Sequence, residues 1–209
     1  MPSTLIFDLD MTLIDSLAAC ATGANLLADH FGLEHRTEED VLKSISLPTN
    51  QFWISLWGRF EPAWEHFFTH QVIPNVFALT KFFPASIDIL TSAKRKGYLL
   101  GLATNRINPW NDLVSLKIAQ YFDTAVGASD VPRPKPEPDI ILTVIRQLRV
   151  EPSKSLFIGD SLSDMKSARS AGVKALGLLQ GGASAEELYR AGADLVRADL
   201  DSSRDILDC

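Results

Sequence analysis

The sequence predicts an α/β protein: a three-layer core on a mostly parallel sheet, with a small all-helical unit inserted after the first strand. Two observations predict the core. Short apolar runs alternate with segments of helical periodicity, and the runs are apolar at successive positions, as strands covered on both faces require. A third predicts the insertion, because the interval 16–83 carries helical patterns and no convincing strand. Its length far exceeds the ~2 to 6 residues of an ordinary strand-to-helix connection.

In chain order, the first strand is the run Leu5-Ile6-Phe7, and later strands are expected over 99–103, 124–126, 155–158, 175–179 and 194–196. Helices are expected between them over 85–96, 109–120, 138–149, 162–171 and 185–191. The division is therefore an α/β core over 1–15 and 84–209 and a helical cap over 16–83. Within the cap, helical stretches cover 17–31, 37–46, 49–60 and 62–71. Its Trp53, Trp57, Trp64, Phe67 and Phe68 recur at roughly helical spacing; they read as the cap's own core, with one or two facing a pocket.

Composition narrows the function. The chain has 209 residues, 46% of them hydrophobic, and a formal net charge of -6. That balance argues against a nucleic-acid groove or an anionic membrane surface as partner. Cys20 and Cys209 lack metal-ligand spacing and read as free thiols of a reducing compartment. With no leader pattern and no apolar stretch of membrane-spanning length, a cytoplasmic protein is expected. Its oligomeric state is open.

Chemistry gathers where strands end, which is where open α/β sheets bind ligands. Asp8 and Asp10 follow the first strand two residues apart, so their side chains point the same way and need a counter-charge. Thr104 and Asn105 close Gly101-Leu102-Ala103 with a hydroxyl and turn amides that can hold oxyanions. Lys135 lies among prolines 132, 134, 136 and 138, which limit backbone freedom around one ammonium. It is the natural counter-charge. Asp160 and Asp164 follow Leu156-Phe157-Ile158-Gly159, and carboxylates converging on a strand edge suit Mg2+. Each segment alone reads as a cap, a turn or a solvated charge. All four at successive strand ends do not.

Taken together, the motifs resemble those of the haloacid dehalogenase superfamily, phosphoglycolate-phosphatase-like group, with a helical cap after the first strand. Phe7 to Ser16 resembles the first motif, Leu102 to Asn105 the second, Lys135-Pro136 the third and Gly159 to Asp164 the fourth. The resemblance implies a Rossmannoid core and a Mg2+-dependent phosphatase of a small phosphorylated metabolite. It implies that Asp8 is the nucleophile, forming an aspartyl-phosphate, and that Asp10 is the general acid and then base. It further implies Mg2+ held by Asp8, the Asp10 carbonyl and Asp160, with Asp164 acting through water. Lys135 would neutralise Asp8 and a phosphoryl oxygen, while Thr104 and the Asn105 amide bind another. The family usually has Gly where Met11 stands; Met11 is expected to keep ordinary torsions with its side chain toward the cap. Leu47-Pro48 falls where the family has a substrate-contacting loop.

Two other functions share these residues. A phosphosugar mutase uses the same motifs and differs in its cap contacts, for which Arg36, Lys43 and Arg59 are the cationic candidates, each read as a surface charge. A silent metabolite-binding protein would have lost a motif Asp or the Lys, and none is missing. An acid at Asp10 favours phosphoesters over halides, which need no proton on leaving. His66 and His70 have metal-ligand spacing without a third ligand, His30 and His35 read as structural or exposed, and Gly181-Gly182 reads as a loop at the site's rim.

Overall fold

In the computed structural model, which describes residues 3–207, alternation along β1 (Thr4–Phe7) sends Leu5 and Phe7 to one face and Ile6 to the other, all fully buried. Both faces being apolar, both must be covered. Chain Cys209 lies outside the described residues, and Cys20 is a free thiol. After β1 come a short ribbon strand β2 (Ile14–Asp15), then helices α1 (Leu17–Phe31), α2 (Glu38–Leu42), α3 (Thr49–Trp57), α4 (Pro62–Phe67) and α5 (Ile73–Val76), then β3 (Lys81–Phe82). The remainder alternates: α6 (Ser86–Arg95), β4 (Leu99–Ala103), α7 (Pro109–Ser115), β5 (Thr124–Val126), α8 (Asp139–Leu148), β6 (Ser155–Gly159), α9 (Leu162–Ser170), β7 (Lys174–Leu178), α10 (Ala185–Ala191) and β8 (Leu195–Arg197).

Six strands form one sheet in the order β5-β4-β1-β6-β7-β8, and every pairing in it is parallel. One face packs Ile89, Leu90 and Ala93 of α6 onto Leu100, Leu102 and Ile158. The other packs Ile140, Ile141 and Val144 of α8 and Met165 and Ala168 of α9 onto Ala103 and Phe157. The sheet order reverses between β1 and its neighbours, so the site belongs at the β1 carboxyl end. Among the described residues no helix is long and apolar enough to cross a membrane.

Three local expectations need correction. First, the interval 16–83, expected to hold no convincing strand, ends in β3, which pairs antiparallel with β2, Ile14 opposite Phe82 and Asp15 opposite Lys81. Two residues per strand are too few for a period-2 signal; the ribbon forms because the insertion's ends must meet, and Phe83 N–H and Ser86 Oγ both donate to the Leu13 carbonyl at 3.1 and 2.8 Å. Second, α7 stops at Ser115, because Lys117 turns left-handed (φ 59°) and Ile118 N–H closes on the Leu113 carbonyl before a 3-10 turn, Ala119–Tyr121. Third, the helix expected over 62–71 passes at Phe68 into a π turn, Phe68–Val72.

The helical insertion has an apolar core of its own. Leu27, Val41, Phe52, Trp53, Leu56 and Trp64 are buried together. Trp57 stacks on Trp53 at 5.7 Å and meets Trp64 edge-on at 5.6 Å. The structural reading of these aromatics therefore accounts for most of them, while Trp53 and Phe68 also reach the cavity described next.

Candidate active site

Asp8 leaves β1 with its amide still paired to the Ile158 carbonyl at 2.9 Å, which fixes its backbone to the sheet. Its carboxylate is buried and accepts a hydrogen bond from Lys135 Nζ at 2.7 Å. Lys135 also donates to Asp164 at 2.6 Å and to the Ala103 carbonyl at 3.0 Å. Asn105 holds that lysine in place: its side chain accepts from the Lys135 amide at 3.0 Å and donates to the Lys135 carbonyl at 3.1 Å and to the Ser46 carbonyl at 3.0 Å. Thr104 is buried beside them, its hydroxyl accepting from the Arg106 amide at 3.3 Å.

Asp160 and Asp164 follow β6. Thr12 Oγ1 donates to Asp160 at 2.8 Å, and Ser161 caps α9 reciprocally with Asp164. Ligand oxygens of Asp8, Asp160 and Asp164 all lie within 4.8 Å of one another, and all three residues are buried. Three acids thus face one ammonium. Burial, with Asp164 and Asp10 adding to it, pushes Asp8 up to about 7 despite Lys135. Burial, then Asp164 and Asp8, raise Asp160 well above the carboxylate range. For Lys135 burial acts against the charge, yet Asp164 and Asp8 outweigh it and raise its pKa. An all-oxygen, over-anionic donor set of this kind fits a hard divalent cation.

Asp10 does not share that cluster; its carboxylate turns to Arg106. The guanidinium grips it with two bonds of 2.7 Å, and Ser16 Oγ donates to the same carboxylate. A third guanidinium bond of 3.2 Å reaches Asp112. Burial opposes charge on Asp10, but Arg106 and then Ser16 overcome it and hold the pKa below the usual carboxylate value. Each of the two opening carboxylates therefore has its own cation. Arg106 directly follows Thr104-Asn105, but nothing in its local sequence marks it as the partner of Asp10, 96 positions away.

Met11 departs from expectation. Its backbone is left-handed (φ 57°), not ordinary, because the chain must reverse within Met11-Thr12-Leu13 to bring Ile14 back against Asp10. For a residue with a Cβ that costs about 1–2 kcal/mol. The turn is over-determined: Leu13 and Ile14 amides bond to the Leu9 carbonyl at 2.9 and 3.1 Å, and Gln180 donates to the carbonyls of Met11 and Thr12 at 3.0 and 2.8 Å. Gly181, next to that glutamine, lies so close to Asp160 that a Cβ there would collide with the carboxylate. The 181–182 pair is thus a packing element of the site.

Asp8, Asp10, Thr104, Asn105, Arg106 and Lys135 all line one cavity of about 560 Å³. The helical insertion forms its opposite wall, including Ser46 and Leu47. Arg36, Lys43 and Arg59 do not line it and pair instead with Glu34, Glu39 and Glu61. The exposed rings of His66 and His70 lie 4.3 Å apart, tilted by 32°, and belong to no group of three possible metal ligands among the described residues.

Comparison with known proteins gives the same picture. Phosphoglycolate phosphatase 1 of Pseudomonas aeruginosa is 28% identical over 225 residues, covering all of this chain and 80% of that protein. Phosphoglycolate phosphatase of Escherichia coli is 39% identical over 104 residues, 49% of this chain and 41% of that one. A crystal structure described as a haloacid dehalogenase-like hydrolase from Bacteroides fragilis superimposes with a TM-score of 0.88 at 25% identity, over 96% of this chain and 98% of the other. The family profile of the haloacid dehalogenase-like hydrolases matches residues 5–178, and the chain, with its parallel sheet and its acid-and-lysine cluster at the β1 end, belongs to that family.

Proposed function

We propose that the protein is a Mg2+-dependent phosphatase that hydrolyses a small phosphomonoester through an aspartyl-phosphate, with 16–83 acting as a cap over the catalytic core. The observation that carries this reading is the buried Asp8–Lys135 contact inside the Asp8, Asp160, Asp164 cluster. The names of the relatives make phosphoglycolate the reference substrate.

Asp8 attacks phosphorus, and the bond from phosphorus to the leaving oxygen breaks. Asp10 delivers a proton to that oxygen, then takes one from the water that attacks the aspartyl-phosphate. Arg106 and Ser16 keep Asp10 anionic at rest, the form the second step uses, so the first step requires the guanidinium to loosen its grip. Lys135 and the hydroxyl of Thr104 are available to phosphoryl oxygens, with the Asn105 amide beside them, and the cap walls exclude bulk water. Asp8, Asp160 and Asp164, with the Asp10 carbonyl, would hold Mg2+, which supplies charge neutralisation between carboxylate and phosphate. A bisphosphate-using mutase is disfavoured by the absence of Arg36, Lys43 and Arg59 from the cavity wall.

Phosphate release from 4-nitrophenyl phosphate is expected to require Mg2+ and to stop with EDTA; release unaffected by EDTA would sink the metal assignment. A second test reads the cation without turnover. Folded Asp8 keeps its proton up to about 7, whereas an unfolded chain releases it near the ordinary 3.8, so the folded state binds the extra proton between those values. Metal-free protein should then lose stability as pH rises through that window. Mg2+ should accordingly raise the melting temperature more at pH 8 than at pH 5, and an equal shift at both would contradict the assignment.

A further inference from the structure

The charges on the cavity wall restrict the leaving group. Six charged residues line it: the acids Asp8, Asp10, Glu65 and Asp112 against the bases Arg106 and Lys135. Without substrate both bases are paired, Lys135 between Asp8 and Asp164 and Arg106 between Asp10 and Asp112, and in the reaction both are engaged at the phosphoryl site. A second anionic group on the substrate, such as the carboxylate of phosphoglycolate, therefore meets no uncommitted cation in this cavity. Glu65 is the opposite case. Among the described residues its carboxylate has neither a hydrogen bond nor an ion pair, although its backbone carbonyl accepts from the Phe68 amide, and it lines the cavity from the inserted segment. Phe68 and Thr69 follow it by three and four residues and line the same cavity, so the three share one face of that helical segment. Phe68 in turn meets Trp53 edge-on at 5.0 Å, and Phe77 adds another ring to the lining. A carboxylate and aromatic rings lining the same cavity are the groups that recognise an ammonium, through charge and through the ring quadrupoles.

We propose that the preferred substrate is an alkylammonium phosphomonoester, with its cationic end between Glu65 and the Phe68–Trp53 wall. The proposal rests on the phosphatase reading above and names its substrate class. A cavity of about 560 Å³ leaves ample room for such a group, given that liquid water occupies about 30 Å³ per molecule.

The test is steady-state kinetics of the full chain with Mg2+ on three esters, phosphocholine, phosphoglycolate and 4-nitrophenyl phosphate, for the wild type, Glu65→Gln and Glu65→Lys. Phosphocholine should exceed phosphoglycolate at least about tenfold in kcat/KM, a factor that corresponds to one well-placed charge contact. Glu65→Gln should lower the phosphocholine to 4-nitrophenyl phosphate ratio about tenfold, mainly through KM, and Glu65→Lys should shift the preference toward phosphoglycolate. Preference of the wild type for phosphoglycolate, or a ratio unmoved by both variants, overturns this proposal while leaving the phosphatase reading intact. No turnover of any of the three esters by the wild type overturns both. Should a variant fail to fold, the wild-type ranking of the esters decides alone.

Discussion

Asp8→Asn is expected to abolish phosphate release, by about 10^4-fold or more in kcat, while leaving the protein as stable as before or more so. The loss follows from removing the nucleophile, a role for which no other group in the cavity is placed. The stability follows from burial, which pushes the Asp8 carboxyl up to about 7, so that at pH 8 the folded state holds an unfavourable anion there. Asparagine has nearly the same shape, can still accept from Lys135 and carries no charge. Lys135 also keeps Asp164 at 2.6 Å. Phosphate release and a thermal melt at pH 8 in metal-free buffer check both halves. Residual activity near the wild-type level, or a melt well below it, would show that Asp8 serves the fold and not the reaction.

Lys135→Met should have the largest effect on stability. The methionine fills much of the same space, but Asp8, Asp160 and Asp164 then remain buried with no ammonium among them. Leaving buried charges uncompensated costs about 3–5 kcal/mol. For a chain of this size 1 kcal/mol moves the melting temperature by about 2–4 °C, so a drop of roughly 10 °C is expected without metal. The drop should be smaller at pH 5, where carboxyls with raised pKa values hold their protons, and Mg2+ should restore part of it at pH 8. A variant that melts with the wild type at pH 8 would mean that the cluster is not charged as described.

The strands and most helices were legible because long-range order leaves a local trace in them. Leu5 and Phe7 on one face and Ile6 on the other need no tertiary information to be read as a strand buried on both sides. The two-residue ribbon of Ile14–Asp15 with Lys81–Phe82 leaves no such trace, since it exists only once the ends of the insertion meet. The left-handed turn at Met11 leaves no local trace for a related reason. Its torsions follow from the pairing of Ile14 against Asp10, and a methionine in isolation favours ordinary ones.

By itself the sequence determined the reaction chemistry available: two acids after the first strand, a hydroxyl and amide turn, a lysine among prolines, and two further acids, in the order of strand ends. Local residue type and spacing carry that information. Only the tertiary structure decided how the charges pair, with Lys135 between Asp8 and Asp164 and Arg106 between Asp10 and Asp112. It alone placed Glu65 on the cavity wall, its carboxylate unpaired among the described residues. Coulombic partnership depends on distances of a few ångströms between residues up to 127 positions apart, and a linear sequence does not contain those distances.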